Sequence, residues 1–259
     1  MPGFRRKPVK IMAPKVLVLD FRPAAIPADW NSTDDLVHQY IEAMLSATAR
    51  LLVYQVIDKI TIPSYPPLLD GRSYNDDTWM QAMQDDKTAL RDSHGGYMMA
   101  DYMHIMRDYE ILSSVRDKKI DEVWMFGGPY FGFYESRMVG RGASWCNAPA
   151  IEQPGRRFVM MGYNYQREVK EMVHDFGHRA ESIISAQFGS QDFLHKLYAL
   201  QPCPACKNDF EEWLQVNGTV HRKPGGEDYG QDEFAWVKNL HPDWLPPAIN
   251  PNLMKPPQA

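Results

Sequence analysis

Two histidines one helical turn apart, His174 and His178, sit in the segment of this chain best equipped for chemistry, Glu171-Met-Val-His174-Asp175-Phe-Gly-His178-Arg-Ala-Glu181. An α-helix advances about 100° per residue, so residues three or four apart lie side by side. With His174 as the angular zero, Arg167, Glu171, His178, Glu181 and Ser185 fall within roughly 60° of it. Val169, Met172, Phe176 and Ile183 lie on the opposite side. Two imidazoles so spaced can reach one ion, and zinc accepts His nitrogen and carboxylate oxygen in a four-coordinate site. The same stripe also fits a surface helix with its apolar face on a sheet and its polar face in water.

Other residues are candidates to complete a site. Glu181, or Glu171, can add a carboxylate ligand, and His221, in a polar loop, a third nitrogen. Glu135 lies in an aromatic loop with Tyr130, Phe131, Phe133 and Tyr134, where desolvation raises a carboxyl pKa and poises it as a general base. The alternative for Glu135 is an ion pair with Arg137 or Arg141. Tyr130, Tyr134, Arg137 and Asn164 are the candidate substrate contacts, and the aromatic residues suit the wall of a small-molecule or sugar pocket. Cys203-Pro-Ala-Cys206 is a single C-x-x-C without the second pair of a zinc ribbon, so two free thiols or a structural zinc with a histidine both remain open. Gly127-Gly-Pro129 lacks the spacing of a phosphate loop, and its proline has no amide to donate.

The H-D-x-x-H run resembles the H-E-x-x-H helix of zinc metallopeptidases. The resemblance implies His174 and His178 as metal ligands, Asp175 in the place of the catalytic glutamate, and a peptide or amide bond as substrate. Asp175 is shorter than glutamate by a methylene, so its reach towards a nucleophilic water is reduced. The segments Asp121 to Met138, Trp145-Cys-Asn147, Arg157 to Gly162, His178-Arg-Ala-Glu-Ser182 and Gly218-Thr-Val-His221 resemble a bacterial family of uncharacterised proteins. That resemblance carries no chemistry, but groups His221 with the helix histidines.

Positioning these residues requires a scaffold, and the pattern predicts an α/β fold with a mainly parallel sheet flanked by helices. Short apolar runs at Lys15–Phe21, Leu51–Ile62, Asp121–Phe126 and Arg157–Gly162 read as strands. Helical patterns follow Ser32, cover Asp76–Gln84 and Asp101–Ser114, and resume near Gln166 with the histidines. Asp20, the Tyr130–Arg137 loop and Tyr163-Asn164-Tyr165 then fall at the carboxyl ends of strands, where such sheets bind ligands. The expected organisation is a basic arm over 1–14, an α/β domain over 15–190, and a loop-rich extension over 191–259. That extension has one helix at Asp209–Val216 and a Pro-rich tail, and packs over the sheet.

Composition narrows the class. The 259 residues suffice for a sizeable core, and a formal net charge of −5 argues against nucleic acid as a partner. No apolar run approaches the roughly 18 residues of a membrane span, and no secretory leader is visible, so a cytoplasmic location is expected. The reading is a zinc-dependent hydrolase of a peptide or other small substrate. The alternatives are a non-catalytic carbohydrate- or protein-binding protein, and a metal-independent hydrolase or transferase using Glu135 with a histidine.

Overall fold

The computed structural model describes residues 10–188. His221, Cys203, Cys206, the helix expected at Asp209–Val216, the Pro-rich tail and most of the basic arm lie outside the described residues.

Five strands form one sheet in the order β2-β1-β3-β5-β4. They are β1 (Lys15–Phe21), β2 (Gln55–Ile62), β3 (Glu122–Gly127), β4 (Ser136–Val139) and β5 (Phe158–Asn164). β2, β1, β3 and β5 run parallel, and β4 closes one edge antiparallel to β5. The expected α/β architecture is therefore present. β3 is buried along its whole length and β1 everywhere but Lys15, which explains their unbroken apolar runs: parallel strands covered on both faces have no solvent side to alternate towards. β2 is an edge strand and mostly exposed.

The helices are α1 (Thr33–Ala47), α2 (Asp76–Gln84), α3 (Tyr102–Asp108), α4 (Ile111–Arg116) and α5 (Val169–Phe188). α1 starts at Ser32, whose hydroxyl accepts from the Asp35 amide at 3.1 Å, and Asp34 and Asp35 complement the dipole of its first turn. α1 and α5 pack together on the face of the sheet that carries Glu122 and Trp124: Tyr40 of α1 meets the Trp124 ring edge-on, and Arg179 of α5 pairs with Glu122.

Three boundaries differ from the sequence pattern. The helix expected over Asp101–Ser114 is broken, because Glu110 adopts a left-handed backbone (φ 50°) between α3 and α4. The second strand begins at Gln55, since Leu52 makes only an isolated bridge to Met12. The aromatic loop ends in β4, too short and too irregular in sequence to announce itself.

Candidate functional site

The loop between β3 and β4 is folded back by its aromatic side chains. Phe131 and Phe133 turn inwards: Phe131 packs on Tyr65 and Trp79, and Phe133 on Phe21. Gly132 between them has φ +77°, and a Cβ there would collide with the backbone of Ala100 and Met98. Only glycine fits so close a pass in that conformation. Gly162 of β5 is the second such point, where a Cβ would meet Phe133 and the Tyr134 carbonyl. The loop therefore lies directly on β5, and Glu135 comes to the carboxyl end of the sheet.

The β5–α5 connection is pinned with equal care. Asn31 donates from its side chain to the carbonyls of Tyr165 (3.0 Å) and Arg167 (2.8 Å), and the Tyr165 amide donates to Gly127 at 3.0 Å. The Tyr165 hydroxyl donates to Asp20, which also takes the Thr33 hydroxyl at 2.6 Å. At the start of α5, the Glu171 carboxylate accepts from the Glu168 amide at 3.0 Å, satisfying a donor that the first helical turn leaves over. Lys170 lies 3.4 Å from the same carboxylate.

Between these two segments, beyond the ends of β3 and β5, is a cleft of about 250 Å³. Gly128 to Phe133 and Glu135 line it from one side; Gly162, Tyr163, Asn164, Arg167, Glu171, Met172, His174 and Asp175 complete it. Glu171, His174 and Asp175 are only 7%, 6% and 8% exposed, although the spacing equally suited a solvated stripe. A helix turn that buries this many ionisable groups has its polar face in the protein, where each group needs a partner.

Outside the cleft, Tyr130 joins a cluster around Asp86. The Tyr97 hydroxyl donates to its carboxylate, the Tyr130 hydroxyl does so at 3.2 Å, and Arg91 pairs with it at 2.6 Å. These bonds, that from Tyr97 foremost, hold the Asp86 carboxyl below its ordinary range. Burial, and then Asp86, push the Tyr130 phenol up to about 12, so it stays a neutral donor at the cleft edge. Tyr163 is driven well above the ordinary phenol range, chiefly by burial.

Of the residues singled out from sequence, Glu135, Asp175, His174, Tyr130 and Asn164 share the cleft. Tyr134 and Arg137 do not line it. The Arg137 guanidinium lies over the Tyr102 and Tyr134 rings, 4.9 and 5.2 Å from their centroids, and its Nε donates to the Pro149 carbonyl at 2.8 Å. Glu135 accepts from the Asn147 side-chain amide, a neighbour the sequence pairing with Arg137 or Arg141 did not anticipate. Asp20 is also outside the cleft, engaged by Thr33 and Tyr165.

His178 continues the stripe beyond the cleft. Its ring meets that of His174 edge-to-face with centroids 4.5 Å apart, and its Nδ1 lies 3.6 Å from Glu181 Oε2. Two adjacent imidazoles suit the nitrogen preference of zinc. Among the described residues, no three His, Cys, Asp or Glu side chains are grouped to hold a metal ion. Glu181 stands beside His178 on the same face of α5, and His221 lies outside the described residues.

Sequence reasoning missed two elements of the surroundings. Asn147 belonged to the resembling segment Trp145-Cys-Asn147, but nothing in the sequence joined it to Glu135. The buried pair Glu122–Arg179 joins residues whose separation hides the partnership, although a glutamate opening an apolar strand is itself a clue. Comparison with protein-family models, with curated proteins and with solved structures gave no match, so the chemistry of this cleft carries the functional argument.

Proposed function

We propose that the protein is a hydrolase that works in the cleft between the β3–β4 loop and α5, with Glu135 as general base. A single observation carries the reading. Residues from two distant segments, Glu135 on one side and His174 and Asp175 on the other, line one cleft at the carboxyl end of a parallel sheet, where folds of this kind bind their ligands. Glu135, held by Asn147, takes the proton of an attacking water; Asp175 and Glu171 on α5 orient the imidazole stripe. Tyr130, neutral at working pH, donates a hydrogen bond to the substrate, with Asn164 as a second polar contact. Phe131 and Phe133 back the apolar wall.

In the specific form of this proposal, His174 and His178 hold zinc, with Glu181 or His221 completing its ligands. When bound, zinc supplies Lewis acidity to the scissile carbonyl. The substrate class is a peptide or amide bond. A metal-independent hydrolase using Glu135 and His174 is the second reading, favoured by the lack of a third grouped ligand among the described residues.

The test combines elemental analysis with turnover of fluorescein-labelled casein and of aminoacyl p-nitroanilides. The zinc form predicts one equivalent of metal in wild type, lost in His174→Ala/His178→Ala together with activity. Activity that survives chelation and vanishes in Glu135→Gln establishes the metal-independent form. Full activity in Glu135→Gln sinks both.

A further inference from the structure

We propose that Asn147 is a positioning residue that holds the Glu135 carboxylate in its working orientation, through a clasp built by Ser136, Cys146 and Arg137. The inference rests on the hydrolase reading above and deepens it. The Asn147 side-chain amide donates to Glu135 Oε2. Asn147 itself has φ +51°, a left-handed backbone that asparagine tolerates better than most residues.

The segment carrying Asn147 is fastened on both sides to β4, the strand that Glu135 immediately precedes. Ser136 Oγ donates to the Cys146 carbonyl at 3.0 Å and lies 3.5 Å from its sulfur. Arg137 Nε donates to the Pro149 carbonyl at 2.8 Å. Cys146 closes the turn by donating its amide to the Ala148 carbonyl at 3.2 Å. Both Ser136 and Cys146 are fully buried. The two residues that follow Glu135, Ser136 and Arg137, thus bind Cys146 and Pro149 on either side of Asn147, and the turn between them aims the amide at the carboxylate. Burial keeps the Cys146 thiol protonated, so its part in the clasp is packing and a carbonyl, not nucleophilic chemistry.

Asparagine suits this place for a reason of charge. It presents a donor to a carboxylate without adding a second negative group to a cleft already lined by Glu171 and Asp175. A hydrogen bond to the charged form favours ionisation, whereas a like charge at the same distance opposes it. The other titratable groups lining the cleft are Tyr130, Tyr163, Arg167 and His174; Arg137, the nearest cation on β4, is occupied with Pro149 and the Tyr102 and Tyr134 rings.

The experiment is a carboxyl-carbon NMR titration of full-length protein labelled at glutamate Cδ, with Glu135→Gln assigning the Glu135 signal. Asn147→Asp is expected to raise the Glu135 midpoint by about one pH unit or more. The acid limb of the casein pH–rate profile should move with it. Asn147→Gly, which relaxes the left-handed backbone and removes the donor, raises the midpoint by less and carries the test should the aspartate variant fail to fold. A midpoint that stays within about 0.2 pH unit of wild type in the folded variants overturns the proposal, since a merely structural asparagine leaves it in place. A raised midpoint in a protein that cleaves neither probe upholds the clasp and removes only the hydrolase reading. An unmoved midpoint in an active enzyme removes the clasp alone.

Discussion

Asp20 and Glu135 show how two carboxylates at the same end of one sheet come to different uses. Asp20 is buried, and its Oδ1 accepts from both Thr33 and Tyr165, joining the start of α1 to the β5–α5 loop. Removing the Tyr165 hydroxyl leaves a buried acceptor short of a donor, which costs about 1–3 kcal/mol. Urea denaturation of Tyr165→Phe should show that loss with the slope unchanged; equal midpoints would mean the bond contributes nothing. Glu135, by contrast, lines the cleft, and the proposed hydrolase reading gives it a role in turnover. Glu135→Gln is expected to lower kcat about 10²- to 10⁴-fold while the melting temperature stays close to wild type, read by initial rates on casein and by thermal denaturation. The chain itself marked both residues as strand-end acids. It singled out Glu135 by its aromatic surroundings but could not show that Asp20 is occupied, because that depends on which side chains from elsewhere reach it.

At the scale of elements, α5 is the part whose placement decides the site. Its first turns are fixed by the Asn31 and Tyr165 contacts of the preceding loop, and its middle by Arg179 on Glu122. The Trp124 indole donates to the same Glu122 carboxylate at 3.0 Å. Burial opposes the charge on Arg179, but Glu122 more than restores it, so the guanidinium is held firmly protonated. Breaking such a pair from one side strands a buried charge, at a cost of about 3–5 kcal/mol. Arg179→Met should therefore be strongly destabilising, and Glu122→Leu in the same chain should recover much of the loss. Chemical denaturation of the two single variants and the double one tests the coupling; simple additivity would refute it. Helical spacing predicted the stripe on α5 and its polar and apolar sides. It did not predict that Glu171, His174 and Asp175 would be buried, since periodicity reports which residues share a face and not what covers that face.

For the molecule as a whole, the sheet is stitched at the end opposite the cleft as well. Asp121 accepts from the Lys15 amide at 2.9 Å and from Arg156 at 2.6 Å, and Arg156 also donates to the carbonyls of Val115 and Ile120. Partial burial pushes the Asp121 carboxyl up, but these donors outweigh it and hold it below the ordinary range. A carboxyl with a depressed folded pKa adds stability that is complete above its unfolded value, about 3.9, and disappears as pH falls through the folded one. Wild type should accordingly lose more stability between pH 6 and pH 3 than Asp121→Asn, measured by urea midpoints across that range. Parallel curves would show that Asp121 is not the titrating group. Among the described residues, no helix is long and apolar enough to cross a membrane.

What the sequence determined by itself is the order of the four parallel strands, the positions of α1, α2 and α5, the buried character of β1 and β3, and the alignment of His174 with His178. Each follows from local spacing, because backbone geometry ties residue number to direction within a helix or strand. The tertiary structure alone decided that Glu135 and the α5 residues share one cleft, that Asp20 and Arg137 stand outside it, and that Asn147 holds the glutamate. Those facts depend on glycines that let a loop lie on a strand and on partners far apart in the chain. Such pairings arise only when the sheet brings them together, and no periodicity in the sequence encodes them.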